Sequence, residues 1–373
     1  MPGSHKNTIL LQAAAAVLIA NSHLEGLYPK SWMAADGFLG NSMFFLLSGY
    51  GIALSLSSKH QSFPSFYWRR ILRIYPIVWI VQVVFYFLLQ GRWKGSVPED
   101  YLSALIYPTD YGYVRQIMVF YAIFYFLKNW LNPRTLIALI GVLFVPLFWF
   151  FLLDFTRQDI GRLQLGNTHP WLWWVFFFQV MLFGGWLAVR GLGAPAFLPA
   201  SAQMQPHAGR DAGAPRPKAS SLFPSPISNL LCFLCCFAAY VALKFLMVFG
   251  APVPLLHISL GRFYILLHLL MVPLLYFAFH AGTSEMLLAR LDRLPAVRWL
   301  LALVGGLTLE IYTVHGFVFE DDHVRRLAFP VNVAVFFVIT IALSAAIAAS
   351  SKYVRRAFEI GLAKAACVRA LIW

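Results

Sequence analysis

The residues of this chain that could do chemistry are histidines, arginines and carboxylates set within or beside long apolar runs. His23 ends one such run, in Asn21-Ser22-His23-Leu24-Glu25. An imidazole titrates near neutrality and can take a proton from a hydroxyl, so His23 is a candidate general base. Glu25, two residues on, faces elsewhere on an ideal helix and can orient His23 only where the helix frays. A second group is Thr308-Leu309-Glu310-Ile311-Tyr312-Thr313-Val314-His315. Thr308, Tyr312 and His315 share one helical face, and Glu310 lies on another. A polar helix–helix contact accounts for the same residues equally well. A third group is Trp68-Arg69-Arg70-Ile71-Leu72-Arg73-Ile74-Tyr75-Pro76. Spacings of three and four place the guanidinium groups of Arg69, Arg70 and Arg73 on one face. Arg stays charged and grips phosphate at two points, which suits a phosphorylated donor. Arg in this position also holds a loop in the cytoplasm and meets anionic lipid. Lys244 and Arg262 lie toward the ends of apolar runs. Each snorkels to the interface or, with His23 and His315, lines an outer polar pocket. Cys232, Cys235 and Cys236 sit in an apolar run without a second ligand pair, so they read as buried thiols and no metal site is expected.

These groups need elements to position them, and composition says which. Of 373 residues, 60% are hydrophobic, 17% aromatic and 12% charged. A soluble domain carries about 25% charged residues, and half of that cannot cover a soluble surface of this size. The aromatic content excludes disorder, and four cysteines do not make a disulfide framework. The expected fold is an all-α polytopic membrane bundle. Stretches long enough to span are found near 8–27, 38–58, 74–90, 115–131, 134–153, 171–190, 227–249, 257–280, 297–319 and 330–350, about ten in all. The run at 115–131 is the weakest, opening at Arg115 and closing at Lys128. No cleavable signal peptide is expected.

With the N-terminus in the cytoplasm, nineteen of the 29 Lys and Arg residues fall in cytoplasmic segments and eight in outer ones. The positive-inside rule therefore favours both termini in the cytoplasm. Residues 194–226, rich in Ala, Pro, Gly and Ser, read as a flexible cytoplasmic linker inside a single 1–373 domain. The net charge of +14 is accounted for by topology and needs no nucleic acid. Gly184-Gly185 and Gly305-Gly306 suit close helix packing.

The motifs also resemble a family. Gly37-Phe38-Leu39-Gly40-Asn41-Ser42-Met43-Phe44-Phe45-Leu46-Leu47-Ser48-Gly49-Tyr50 is similar to the "G-x-x-x-F-F-x-L-S-G-F" signature of acyltransferase family 3. A histidine about 20 residues upstream is typical there, and His23 matches it. Arg70-Ile71-Leu72-Arg73 followed by Ile74-Tyr75-Pro76 matches the family's R-x-x-R and I-Y-P. Tyr312-Thr313-Val314-His315 matches a late Y-L-x-H. Two positions depart from the family pattern: Gln12 stands where a basic residue is common, and Ser42 where Asp is common, with Asp36 further upstream.

The resemblance implies an integral-membrane O-acyltransferase, of O-acetyl type above all, acting on surface carbohydrate or glycolipid from the bacterial inner membrane. Acyl-CoA, as acetyl-CoA in the first instance, is the implied donor, with its phosphates held by Arg69, Arg70, Arg73 and Tyr75. His23 is the implied base, helped by Glu25 or Glu310. Ser42, Tyr312 or a ring nitrogen of His315 would stabilise the oxyanion. Lys244, Arg262 and Glu310 would meet the acceptor. Two other readings use the same residues: a transporter or flippase of a lipid-linked or anionic solute, and an accessory subunit whose polar groups only join helices.

Overall fold

In hydrocarbon every backbone N–H and C=O must be paired within the chain, so apolar runs of this length become helices. In the computed structural model the described residues are 6–34, 36–58, 61–89, 105–106, 112–153, 170–192, 225–249 and 260–372. They are 88% helical, without strands. In chain order the helices are α1 (Ile9–Asn21), α2 (Gly37–Ser58), α3 (Phe63–Val81, continued by a π-helix over Gln82–Leu89), α4 (Gly112–Phe126), α5 (Pro133–Leu153) and α6 (Pro170–Leu192). There follow α7 (Pro226–Phe249), α8 (Leu260–Gly282), α9 (Glu285–Asp292), α10 (Pro295–Gly306), α11 (Thr308–Glu320), α12 (Asp322–Arg326) and α13 (Val331–Ile372).

Each of the ten apolar stretches coincides with a helix or a helix pair. Among the described residues five helices are individually long and apolar enough to cross a membrane, or up to seven if each of two bent pairs is one span. The bent pairs are α8–α9, at 50°, and α10–α11, at 80°. Helix α4, on the weakest stretch, is only 15 residues long. The linker expected at 194–226 lies almost wholly outside the described residues.

The chain divides into two compact units. The first holds residues 6–11, 42–58 and 126–299 of the described chain. Here α2 meets α6 at two glycines. A Cβ on Gly49 would overlap the Met181 carbonyl oxygen, and one on Gly184 would overlap that of Leu46. The small residues let the backbones touch, which is how helices associate where lipid offers no hydrophobic drive. Helix α7 is largely uncovered by protein, with only 6% of its 18-residue apolar window buried. Its thiols follow: Cys235 is exposed, and Cys232 and Cys236 are half-buried. They are not the buried thiols that the sequence suggested; they sit on a helix that the rest of the described chain leaves largely uncovered.

The second unit holds residues 12–41, 61–125 and 300–372 of the described chain. It packs α3, α11 and α13 against one another. Asp36 caps α2 by accepting from the Leu39 N–H at 3.4 Å. Helix α1 lies close on the start of α2, where a Cβ on Gly40 would come within 2.9 Å of Ile19. Of the pair Gly305-Gly306, Gly305 is buried. Gly306 has open space where a Cβ would project, and the pair marks the 80° break before α11. The break starts a new helix at Thr308, whose hydroxyl donates to the Gly305 carbonyl at 2.7 Å.

Candidate active site

All the groups of the site described first lie in the second unit. Helix α1 stops at Asn21 because its polar end is captured locally. The Ser22 hydroxyl donates to the Ile19 carbonyl at 2.7 Å. The Asn21 amide donates to Met33 O at 3.1 Å and accepts from the Tyr28 hydroxyl at 2.5 Å. The chain then turns through His23, held by Leu24 and Leu27, both buried. Asn332 of α13 pins the turn from the other side: its amide donates to Leu27 O at 2.7 Å. His23 therefore leaves the helix and is exposed. Because the helix has ended, the Glu25 carboxylate also comes within electrostatic reach of His23.

Beneath His23 lies His315 of α11, only 6% exposed. The two rings are 4.8 Å apart between centroids and tilted by 47°. His315 Nδ1 is 3.1 Å from the Ile311 carbonyl. A carbonyl only accepts, so Nδ1 carries the hydrogen, and Nε2 of the neutral ring is an acceptor. With Nδ1 given to Ile311 O, a neutral His315 ring has no second N–H to offer an oxyanion. Tyr312 stands beside it, ring centroids 6.0 Å apart. Its hydroxyl accepts from the Tyr113 N–H at 3.3 Å and lies within electrostatic reach of Arg115 on α4.

The arginine group is split by packing. Arg70 turns inward, its guanidinium 5.1 Å from the Phe66 ring and 5.5 Å from that of Tyr121 on α4. Its buried Nε has no hydrogen-bond partner. Arg69 and Arg73 are exposed, and both act electrostatically on Arg70. The three therefore form one cationic patch with one member set into an aromatic slot, rather than a common open face. Tyr75 is held elsewhere, donating to Ile106 O at 2.7 Å.

Glu310, 8% exposed, lies within electrostatic reach of Arg73 and of Lys352 on α13. Its partners are those two cations, and the carboxylate acting on His23 is that of Glu25. Glu310 precedes His315 by five residues, about 7.5 Å of helix rise. Arg73 and the histidine pair are thus linked along α11 within a fraction of a membrane thickness.

The second unit thus brings together an exposed histidine, a buried histidine and the arginine patch. The family model Acyl_transf_3, an acyltransferase domain, matches residues 9–349, nearly the whole chain. The chain belongs to acyltransferase family 3. No match was found among curated proteins or among solved structures. It is a membrane acyltransferase.

Other expected positions of this acyltransferase fall as follows. Ser42 is fully buried on α2, in the first unit. Lys244 is also in the first unit, with its ammonium 5.3 Å from the Tyr240 ring. Arg262 lies on α8, and its side chain is outside those described. Gln12, at the family's basic position, presents its carbonyl 3.5 Å from the Thr308 hydroxyl.

Motif reading missed Asn332, Lys352 and Gln82. Gln82 opens the π-helix, is 1% exposed, and its buried amide Nε2 has no partner. It lies one turn before Phe85, whose ring stacks on Phe317 at 4.7 Å, two residues beyond His315. A lone Gln in an apolar run is itself a signal, because an unpaired amide in hydrocarbon is costly.

Proposed function

We propose that this acyltransferase moves an acyl group, acetyl in the first instance, from acyl-CoA on the cytoplasmic side to a hydroxyl of a carbohydrate or glycolipid on the outer side. The proposed topology is ten spans with both termini cytoplasmic, in a bacterial inner membrane. Arg69, Arg70 and Arg73 hold the phosphates of the donor, and its pantetheine arm runs toward the histidines. His23 takes the proton of the acceptor hydroxyl as its oxygen attacks the thioester carbonyl. The carbon–sulfur bond then breaks, and the leaving thiolate recovers the proton from the imidazolium. Glu25 supports the imidazolium by charge. His315, with Nδ1 committed to Ile311, offers Nε2 as the acceptor that sets the His23 ring. The oxyanion falls to Gln82 or Tyr312, because a buried, unpartnered amide is a ready donor.

The observation that carries this reading is the contact between an exposed and a buried histidine, 4.8 Å apart. Accessibility suits a base that must meet an acceptor, and burial suits a group that holds it. One feature favours a second reading: α10 and α11 form a broken pair bent by 80°, and transporters build solute sites at such breaks. Purified protein in proteoliposomes, given thioester-labelled acyl-CoA inside and glycan acceptors outside, separates the two. The acyltransferase reading expects release of free thiol matched by label on the glycan. Movement of solute without thioester consumption would replace it with the transporter reading.

A further inference from the structure

A second set of basic side chains converges in the first unit, which does not contain the Arg69–Arg70–Arg73 patch. Three elements contribute: the segment before α1, the end of α6 and the end of α8. Lys6 places its ammonium 5.3 Å from the Phe279 ring centroid. Its backbone is hydrogen-bonded to the Tyr50 hydroxyl, and the Tyr50 ring lies 4.9 Å from Phe279. His280, next along α8, rests against Tyr276 at 4.5 Å. Arg190 lies over the Trp186 ring at 4.9 Å. Both Lys6 and Arg190 act electrostatically on His280, and no carboxylate is among the groups acting on it.

Helix dipoles explain part of this. Arg190 and His280 sit in the last turns of α6 and α8, where a cation complements the C-terminal carbonyls. That accounts for each singly. It does not explain why three basic side chains from three elements share one place with no carboxylate among the described groups acting on His280. Nor does it explain Trp186. This indole is only 9% exposed, yet its buried Nε1 has no hydrogen-bond partner. Burying a donor unpaired is costly, and the guanidinium of Arg190 lies over the ring that carries it.

We infer that Lys6, Arg190, His280 and the Trp186 N–H form a binding site for a phosphate monoester. Two fixed cations match a group whose charge at neutral pH lies between one and two, and a neutral imidazole can donate to it from one ring nitrogen. A guanidinium and an indole N–H match its oxygens. The aromatic walls of Phe279, Tyr276 and Trp186 hold the cations in place before a ligand arrives. Two sources offer this chemistry: the headgroup of phosphatidic acid and the terminal phosphate of a nucleotide.

The test uses the full chain in nanodiscs of neutral lipid. One arm measures saturable binding of labelled adenosine 3′,5′-bisphosphate. The other measures phosphatidic acid retained over phosphatidylcholine by native mass spectrometry. Binding in either arm that falls in the variants below identifies the source, since binding at the Arg69–Arg70–Arg73 patch is left unchanged by them. In that arm Lys6→Gln with Arg190→Gln is expected to weaken binding by about tenfold or more. Trp186→Phe, which keeps the ring and removes the N–H, is expected to weaken it about threefold. Lys6→Gln alone, in an exposed segment ahead of α1, guards against a folding artefact and is expected to give part of the loss. Saturable binding of neither probe, or binding unchanged in the double variant, overturns the proposal.

Discussion

His315→Phe separates the two things that His315 does. The substitution keeps an aromatic ring against His23 at the 4.8 Å contact and removes both nitrogens. It breaks the Nδ1 bond to Ile311 O, at a stability cost of about 1 kcal/mol. If His315 contributes only ring packing, worth about 0.5–1.5 kcal/mol, Phe replaces it and kcat changes little. If Nε2 accepts a hydrogen bond that sets and charges the His23 ring, the loss is that of a charge-assisted bond, about 1.5–3 kcal/mol. That corresponds to a fall in kcat of roughly 10–150-fold, at 1.4 kcal/mol per factor of ten. KM for the donor should stay within about twofold, because His315 does not touch the phosphates. The assay is initial rate against acyl-CoA concentration at saturating acceptor, normalised to folded protein by thermal unfolding. His315→Ala removes ring and nitrogens together and should be worse. A His315→Phe enzyme within about threefold of wild-type kcat refutes the proton-accepting role and leaves packing alone.

Three further outcomes follow from the geometry. Arg70→Ala should lower thermal stability, since it empties the slot between Phe66 and Tyr121 at about 1–2 kcal/mol, and should also raise KM for acyl-CoA. Arg73→Ala, at an exposed side chain, should raise KM with little change in unfolding temperature, and the pair of titrations checks both. Gly49→Ala or Gly184→Ala should abolish folded protein in membrane extracts, by overlap with a carbonyl oxygen, whereas Gly51→Ala, with open space around it, should be recovered at wild-type yield. Asn332→Ala removes the bond to Leu27 O at about 1–3 kcal/mol. It should lower kcat by freeing the His23 turn, read as lost activity together with faster proteolysis between α1 and α2.

Periodicity and apolar length were enough to place the helices, since each of the ten stretches carries one. They could not show that the last but one breaks at Leu307, because Gly305-Gly306 signals packing and kinking alike. His23 and His315 are separated by most of the chain. Their meeting depends on tertiary packing of α11, and in the sequence it was legible only as a shared outer polar pocket. The arginine spacing predicted a common face and missed the turn of Arg70, because the deciding partner, Tyr121, lies on another helix. Gln82 and Asn332 were overlooked for a related reason. Each is a single amide in an apolar run, and its role appears only when its burial and its partner, or lack of one, are seen. Glu25 could be assigned to His23 once α1 ended at Asn21, a boundary set by the side-chain bonds of Asn21 and Ser22.

The base assignment is tested most directly by single-turnover acyl transfer with His23→Ala, in membranes where the variant is present at wild-type abundance. Radiolabelled acyl-CoA is mixed with saturating hydroxyl acceptor, and label on the acceptor is followed in time. The account predicts a loss of about 10²–10⁴-fold in the transfer rate, with donor binding retained through the arginine patch. Transfer at the wild-type rate would contradict it and remove His23 from the chemistry.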